Sequence, residues 1–346
     1  MFEQIKNNVE KSLRKHMGAL NRNYRLDRIS PHLSSLLGDY ALRPGKRVRP
    51  VLFCAGYLGF TKKPRPGIYT SCLSIELLHD FMLIHDDIID KSATRRGLPA
   101  MHRVLDRRFG GCPGAKFNGQ DLAIVTGDIL YAIALDTFLA IKEEPARKER
   151  ALRRFFEAAM YTGSGEFIEL IYGATRMEDV READIYKIYD YKTAWYTFAC
   201  PLSIGAILAG ASDADTRRLF DYGICLGRAF QIKDDLLGIF GNEKEIGKSV
   251  LTDLQESKKT LLVFYAFRDS ETKDRQAIKR VLSAKTVGRD DLETMRQIIR
   301  RSGALDKASA QIAKCAKKAS RLLESSSMRA DYKRALAGYT RSILQV

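Results

Sequence analysis

The sequence is short of the features that mark several common protein classes. None of its six cysteines, Cys54, Cys72, Cys112, Cys200, Cys225 and Cys315, belongs to a CxxC pair, which argues against a zinc ribbon or a thioredoxin-type redox site. Four of them lie in apolar helical stretches and read as buried free thiols, in keeping with a reducing cytoplasm. Lys/Arg runs with interleaved aromatics are missing, so nothing beyond charge points to nucleic acid. The apolar run from Thr197 to Ala211 is too short to span a bilayer and contains Pro201, where a kink in a buried helix is expected. No transmembrane segment is predicted, and MFEQIKNNVEKSLRKHM has no signal-peptide core. Strand-type alternation is absent, and the glycines between Phe109 and Gly119 lack phosphate-loop spacing.

What is present is helix and positive charge. Hydrophobic residues make up 45% of 346, enough for a large core, and the net charge of +16 favours anionic partners. No composition shift divides the chain, so residues 1–346 are expected to form a single all-α domain. Phe2, Ile5, Val9 and Leu13 mark a first amphipathic helix, followed by a linker around Asn21 to Asp27 and a second helix from about Ser30 to Tyr40. From Pro50 to Phe60 the pattern is apolar all round and therefore interior. The last third, from Leu261, is helical and basic, with no evident chemistry.

The organising stretch is Glu76 to His102, ELLHDFMLIHDDIIDKSATRRGLPAMH. Asp86 and Asp90 fall one above the other on a helix, with Asp87 beside them. Three carboxylates on an apolar helix repel one another and call for a cation, and hard oxygen ligands suit Mg²⁺. Arg95 and Arg96 then offer forks that match phosphate oxygens. Without these arginines an exposed acidic helix end would account for the acids equally well, and the arginines weigh against it. Two further features favour a diphosphate site. In ALRPGKRVRP, Lys46, Arg47 and Arg49 crowd a helix N-terminus, where cations are unfavourable unless an anion joins them. Gln231, Asp234 and Asp235 share one face of a second acidic helix, with Lys248, Lys258, Lys259 and Thr260 following. Lys192 interrupts an aromatic face in YKTAWYT, where it either snorkels outward or points at an anion. Glu166 and Glu169 face the same cavity or the surface.

Taken in this order, the motifs resemble the trans-isoprenyl diphosphate synthases, or polyprenyl synthetases, over residues 40–262. The resemblance implies antiparallel helices around a central cavity, a homodimer, and condensation of isopentenyl diphosphate with allylic diphosphates. It implies that Asp86, Asp87, Asp90 and Asp234 hold Mg²⁺, three ions with substrate bound, with Asp235 in support. Arg95, Lys192, Lys248 and Lys258 would bind the allylic diphosphate. Lys46, Arg47, His79 and Arg96 would hold isopentenyl diphosphate, with Arg49 less firmly assigned. Thr193 and Gln231 would flank the developing cation. Phe81 and Met82, just before Asp86, are expected to set product length, and Phe81 fits the archaeal pattern for a C20 product, with C15 and C25 as neighbours. Where the family's second motif often reads DDxxD, this chain has Gly238, and Glu166 and Glu169 stand where it often has Gln and Asp. A class I terpene cyclase and a non-catalytic subunit of a heteromeric synthase are the other readings.

Overall fold

Apolar residues recurring every three or four positions set the helices. The computed structural model describes residues 1–242 and 249–344. In α1 (Phe2–Tyr24), Ile5, Val9, Leu13, Met17 and Leu20 are buried along one stripe. The expected linker is mostly helical: α1 runs to Tyr24, Arg25 turns in the left-handed region, and a short α2 (Leu26–Ile29) follows. Ser30 caps α3 (Pro31–Ala41) by accepting from the Leu33 amide, with proline at the first turn. Next come α4 (Val48–Leu58), α5 (Ile68–Ser71) and α6 (Leu73–Ile89), the last two separated at Cys72. α6 packs along α8 (Gly119–Phe138), which opens with a capping box at Asn118 and Asp121.

One departure from all-helix is a ribbon of two residues per strand, Thr94–Arg95 against Leu98–Pro99, paired antiparallel. Arg96 (φ 55°) and Gly97 (φ 73°) form its turn, both at positive φ as a tight hairpin demands. The ribbon leads into α7 (Met101–Phe109).

The chain divides into two compact units: Met1–Arg153 with Ile204–Gly210, and Arg154–Ser203 with Ala211–Val346. The first contains α1 to α8, with Leu13, Leu52, Phe53, Leu77, Leu130 and Phe138 among its buried side chains. The second is organised on α12 (Asp213–Phe240), whose Ile232, Leu236 and Ile239 join a core with Leu261, Leu262, Met295, Ile298 and Ile299. Two helices, α9 (Pro145–Ala174) and α11 (Cys200–Leu208), contribute residues to both units. Between α10 (Glu182–Ile188) and α11 the backbone widens into a π-helix, Tyr189–Ala199. The irregularity expected at Pro201 therefore lies just before it. Among the described residues no helix is long and apolar enough to cross a membrane.

Candidate active site

In the first unit, Asp86 and Asp90 end α6 one turn apart, the Asp90 amide donating to the Asp86 carbonyl at 2.8 Å. Both side chains are half-buried. Arg95 reaches back from the ribbon: its Nε donates to Oδ1 of Asp87 at 2.8 Å and its Nη2 to Oδ2 of Asp86 at 3.2 Å. Burial distinguishes the three acids: the Asp87 side chain is sealed from solvent and engaged by Arg95, while Asp86 and Asp90 are half-buried. Burial pushes the Asp87 carboxyl upward, and Arg95 opposes this.

The basic loop is also sorted by burial. Lys46 is exposed. Arg47, expected to bind diphosphate, is 2% exposed, and its fork is spent inside the protein. Nε donates to Glu10, Nη1 to Glu76, both at 2.8 Å, and Nη2 to the carbonyls of Ala41 and Arg43. These partners take up the whole Arg47 fork. Arg49 remains half-buried. Arg96 stands 3.5 Å from both Glu76 and Asp80. Burial and the charges of Arg49, Arg96, Arg95 and Arg47 push His79 well down, so its imidazole is neutral at pH 7. Burial and Glu76 push Asp80 up to about 8, against Arg96, Arg47 and Arg49. Glu10 lies outside the sequence motifs, and Glu76 and Asp80 lie within the organising stretch without a role assigned from sequence, although acids on an otherwise apolar helix are a signal in themselves.

Further along the same helix, the Phe81 ring lies 4.6 Å from His85 and 5.2 Å from Tyr131 of α8, centroid to centroid. Met82 is half-buried one turn before Asp86.

In the second unit, α12 and the π-helix bring together the other predicted residues. Thr193 Oγ1 donates to Gln231 Oε1 at 2.8 Å, and Gln231 Nε2 donates to Asp235 Oδ1 at 3.0 Å. Asp235 is buried and also receives the Tyr189 hydroxyl, which in turn accepts from the Leu261 amide at 2.8 Å. Its carboxyl, pushed up by burial, is thus enclosed by donors, while Asp234 beside it is half-buried. Tyr189 is a site residue that no sequence motif announced. Lys192 points at anions supplied by the protein itself: it is paired with Glu169, and with Glu166 at 2.5 Å. Gly165 permits this, since a Cβ there would lie 2.5 Å from the Lys192 amide nitrogen. Lys258 pairs with Glu256 at 2.7 Å and approaches Asp253 at 3.6 Å. Burial works against its charge, but Glu169, Asp253 and Glu256 outweigh it and raise its pKa. Lys248 lies outside the described residues.

Residues 30–299 match the family model described as polyprenyl synthetase. The chain is similar to the geranylgeranyl diphosphate synthase of Saccharolobus solfataricus, 34% identical over 265 residues, 74% of this chain and 73% of that protein. It is 37% identical over 269 residues to the geranylfarnesyl diphosphate synthase of Aeropyrum pernix, 76% of this chain and 78% of that protein. The fold is similar to a Corynebacterium glutamicum geranylgeranyl pyrophosphate synthase crystallised with isoprenyl diphosphate and magnesium, with a TM-score of 0.88 at 24% identity over 100% of this chain and 99% of that one.

Proposed function

Because the chain belongs to the polyprenyl synthetase family, we propose that it is an Mg²⁺-dependent prenyltransferase that joins isopentenyl diphosphate to allylic diphosphates and releases geranylgeranyl diphosphate. The observation that carries this reading is the stack of Asp86 and Asp90 at the end of α6, with Arg95 beside it. Hard, half-exposed carboxylate oxygens are the donor set that Mg²⁺ takes, and Asp86, Asp90 and Asp234 would hold it. Bound Mg²⁺, three ions in this proposal, supplies positive charge to the diphosphate that departs.

The protein's own groups do the rest. Arg95, Lys192, Lys248 and Lys258 bind the allylic diphosphate and stabilise its charge as the C–O bond breaks. Lys46, Arg49, His79 and Arg96 hold isopentenyl diphosphate, with Arg49 in the place that Arg47 is too committed to fill. A neutral His79 donates a hydrogen bond without adding a charge to the arginines around it. The hydroxyl of Thr193 and the amide of Gln231, fixed by Asp235, turn their dipoles toward the allylic cation. After the new C–C bond forms, the proton passes to the released diphosphate, since the named residues include no free base.

The C20 product rests on the Phe81 and Tyr131 rings beside the path of the tail and on the names of the relatives. The C25 activity named for the Aeropyrum pernix protein is the neighbouring outcome. We further propose a homodimer, because Phe156, Met160, Phe167, Leu170 and Ile171 expose apolar surface along α9 at helical spacing. Function as one catalytic domain is supported by a family match that runs through both units. A cytoplasmic location is supported by cysteines that are all free thiols.

The test is product analysis of the purified chain with isopentenyl diphosphate, dimethylallyl diphosphate and Mg²⁺, with Asp86→Ala as control. A C20 alcohol after phosphatase treatment, lost in the control, is the expected result. Consumption of an allylic diphosphate without isopentenyl diphosphate would mark a cyclase, and no turnover with any primer would mark a non-catalytic subunit.

A further inference from the structure

The positive charge of the chain is gathered toward its end. From Glu271 to Val346 there are eighteen Lys and Arg against eight Asp and Glu, so this last stretch carries +10 of the formal +16. None of these residues belongs to the diphosphate site described above. The helix Ala304–Glu324 orders part of that charge. It packs along α12 and buries Ala304, Ala308, Ala319 and Leu323 on one side. Lys307, Lys314, Lys317, Lys318 and Arg321 are all exposed, and at helical spacing they fall within an arc of about 100° on the other side. The two acids of the helix, Asp306 and Glu324, lie in its first and last turns. Lys307 is paired with Asp269 at 2.6 Å. Among the described residues Lys314, Lys317, Lys318 and Arg321 are in no ion pair. Elsewhere exposed cations are matched by acids close by, as Arg153 is by Glu149, Arg176 by Asp179 and Arg301 by Asp274. A helix face that only meets water ordinarily interleaves the two signs.

A stripe of unmatched cations attracts a dense array of negative charge, and three features select the array. The residues beside the cations, Ser309, Ala310, Ala313 and Ser320, are small, so the face has low relief and suits a plane better than a cleft. No aromatic residue stands in the helix, so nucleic acid bases would find nothing to stack on. Three of the four unmatched cations are lysines, point charges that suit a fluid layer of headgroups better than fixed, bidentate recognition of one phosphate. We propose that the exposed face of Ala304–Glu324 docks the protein on an anionic phospholipid surface. No described helix is long and apolar enough to span a bilayer, so the attachment is one of charge, reversible and screened by salt. Its use rests on the synthase reading: a C20 chain on a diphosphate is an amphiphile, and a synthase held at the surface releases it where it partitions.

The experiment is flotation of the full chain with vesicles of phosphatidylcholine alone or of phosphatidylcholine mixed with phosphatidylglycerol. Wild type should float with the mixed vesicles at low salt, ignore the neutral ones, and be released as salt rises. The variant Lys314→Gln, Lys317→Gln, Lys318→Gln, Arg321→Gln should bind the mixed vesicles about 10²- to 10³-fold more weakly, about fivefold for each cation removed. Its melting temperature, and its elongation of a short primer in vesicle-free buffer, should match wild type. The double variant Lys317→Gln, Lys318→Gln should lose about 25-fold, and it decides if the fuller variant does not fold. A control, Lys11→Gln, Lys15→Gln, Lys62→Gln, Lys63→Gln, removes the same charge from other exposed positions and should stay within about fivefold of wild type. Equal losses in the control and the stripe variant would mean that net charge alone drives attachment, and would overturn the proposal. Wild type that ignores the mixed vesicles at low salt would also overturn it, as would preference for a duplex oligonucleotide through the same four residues. Absence of elongation by wild type would reject the synthase reading and leave flotation to decide the docking face.

Discussion

Nε of Arg95 donates to Oδ1 of Asp87 at 2.8 Å, and the Asp87 side chain has no access to solvent. Asp86, its neighbour in sequence, is half-exposed. Asp86→Asn should therefore lower kcat by about 10²- to 10³-fold with little change in stability, the scale of a lost electrostatic contact to developing charge. Asp87→Asn should lose about 3 kcal/mol of unfolding free energy by breaking a buried pair, with the smaller loss of kcat. Urea denaturation and steady-state kinetics on both variants would separate the two acids.

Arg47 and Arg49 are two residues apart and make opposite predictions. Arg47→Ala abandons Glu76 in the interior, which should cost about 3–5 kcal/mol, while the folded fraction keeps its KM for isopentenyl diphosphate. Arg49→Ala should raise that KM about tenfold, the loss expected for one charge-assisted hydrogen bond. A normal denaturation midpoint together with a raised KM in Arg47→Ala would return Arg47 to the substrate site.

Product length should respond to the ring pair on α6 and α8. Phe81→Ala removes the ring that packs on Tyr131 and His85, and should shift product from C20 toward C25 and longer. Tyr131→Ala should act in the same direction. Chromatography of the dephosphorylated alcohols measures this; an unchanged distribution in both variants would mean that the tail ends elsewhere.

Asp80 predicts a pH dependence of stability. Its folded-state pKa is raised to about 8 by burial and by Glu76, against an ordinary value of 3.8. The sign follows from linkage: a raised carboxyl is harmless below the unfolded value, and its stabilising proton is lost as pH rises toward the folded value. Unfolding free energy should thus fall between about pH 4 and pH 8. Asp80→Asn should flatten that fall, as measured by urea titrations at each pH. A slope identical to wild type would remove Asp80 as its cause.

The two acidic helices were legible because carboxylates at three- and four-residue spacing on apolar helices are costly to keep without a cation. The division of labour within each motif was not. Glu10 and Glu76, which consume Arg47, lie 37 and 29 residues from it, and no local pattern carries that pairing. Asp86 and Asp87 differ only in which side of α6 they face, and the packing around that helix decides which of them is sealed. For Lys192 the sequence left open an outward course or an anion, and the choice is made by Glu166 and Glu169, 26 and 23 residues away along the chain.

The π-helix Tyr189–Ala199 has a consequence measured in chain length. It bonds i to i+5, so it uses more residues per turn than the α-helices on either side of it. Tyr189 at its start is anchored on Asp235, while Lys192 and Thr193 face Glu169 and Gln231. Deleting one residue between Tyr189 and Lys192 would change the angular offset between Tyr189 and the two followers and turn them away from Glu169 and Gln231. The phase of the site therefore depends on the number of residues in this stretch as well as on their identity.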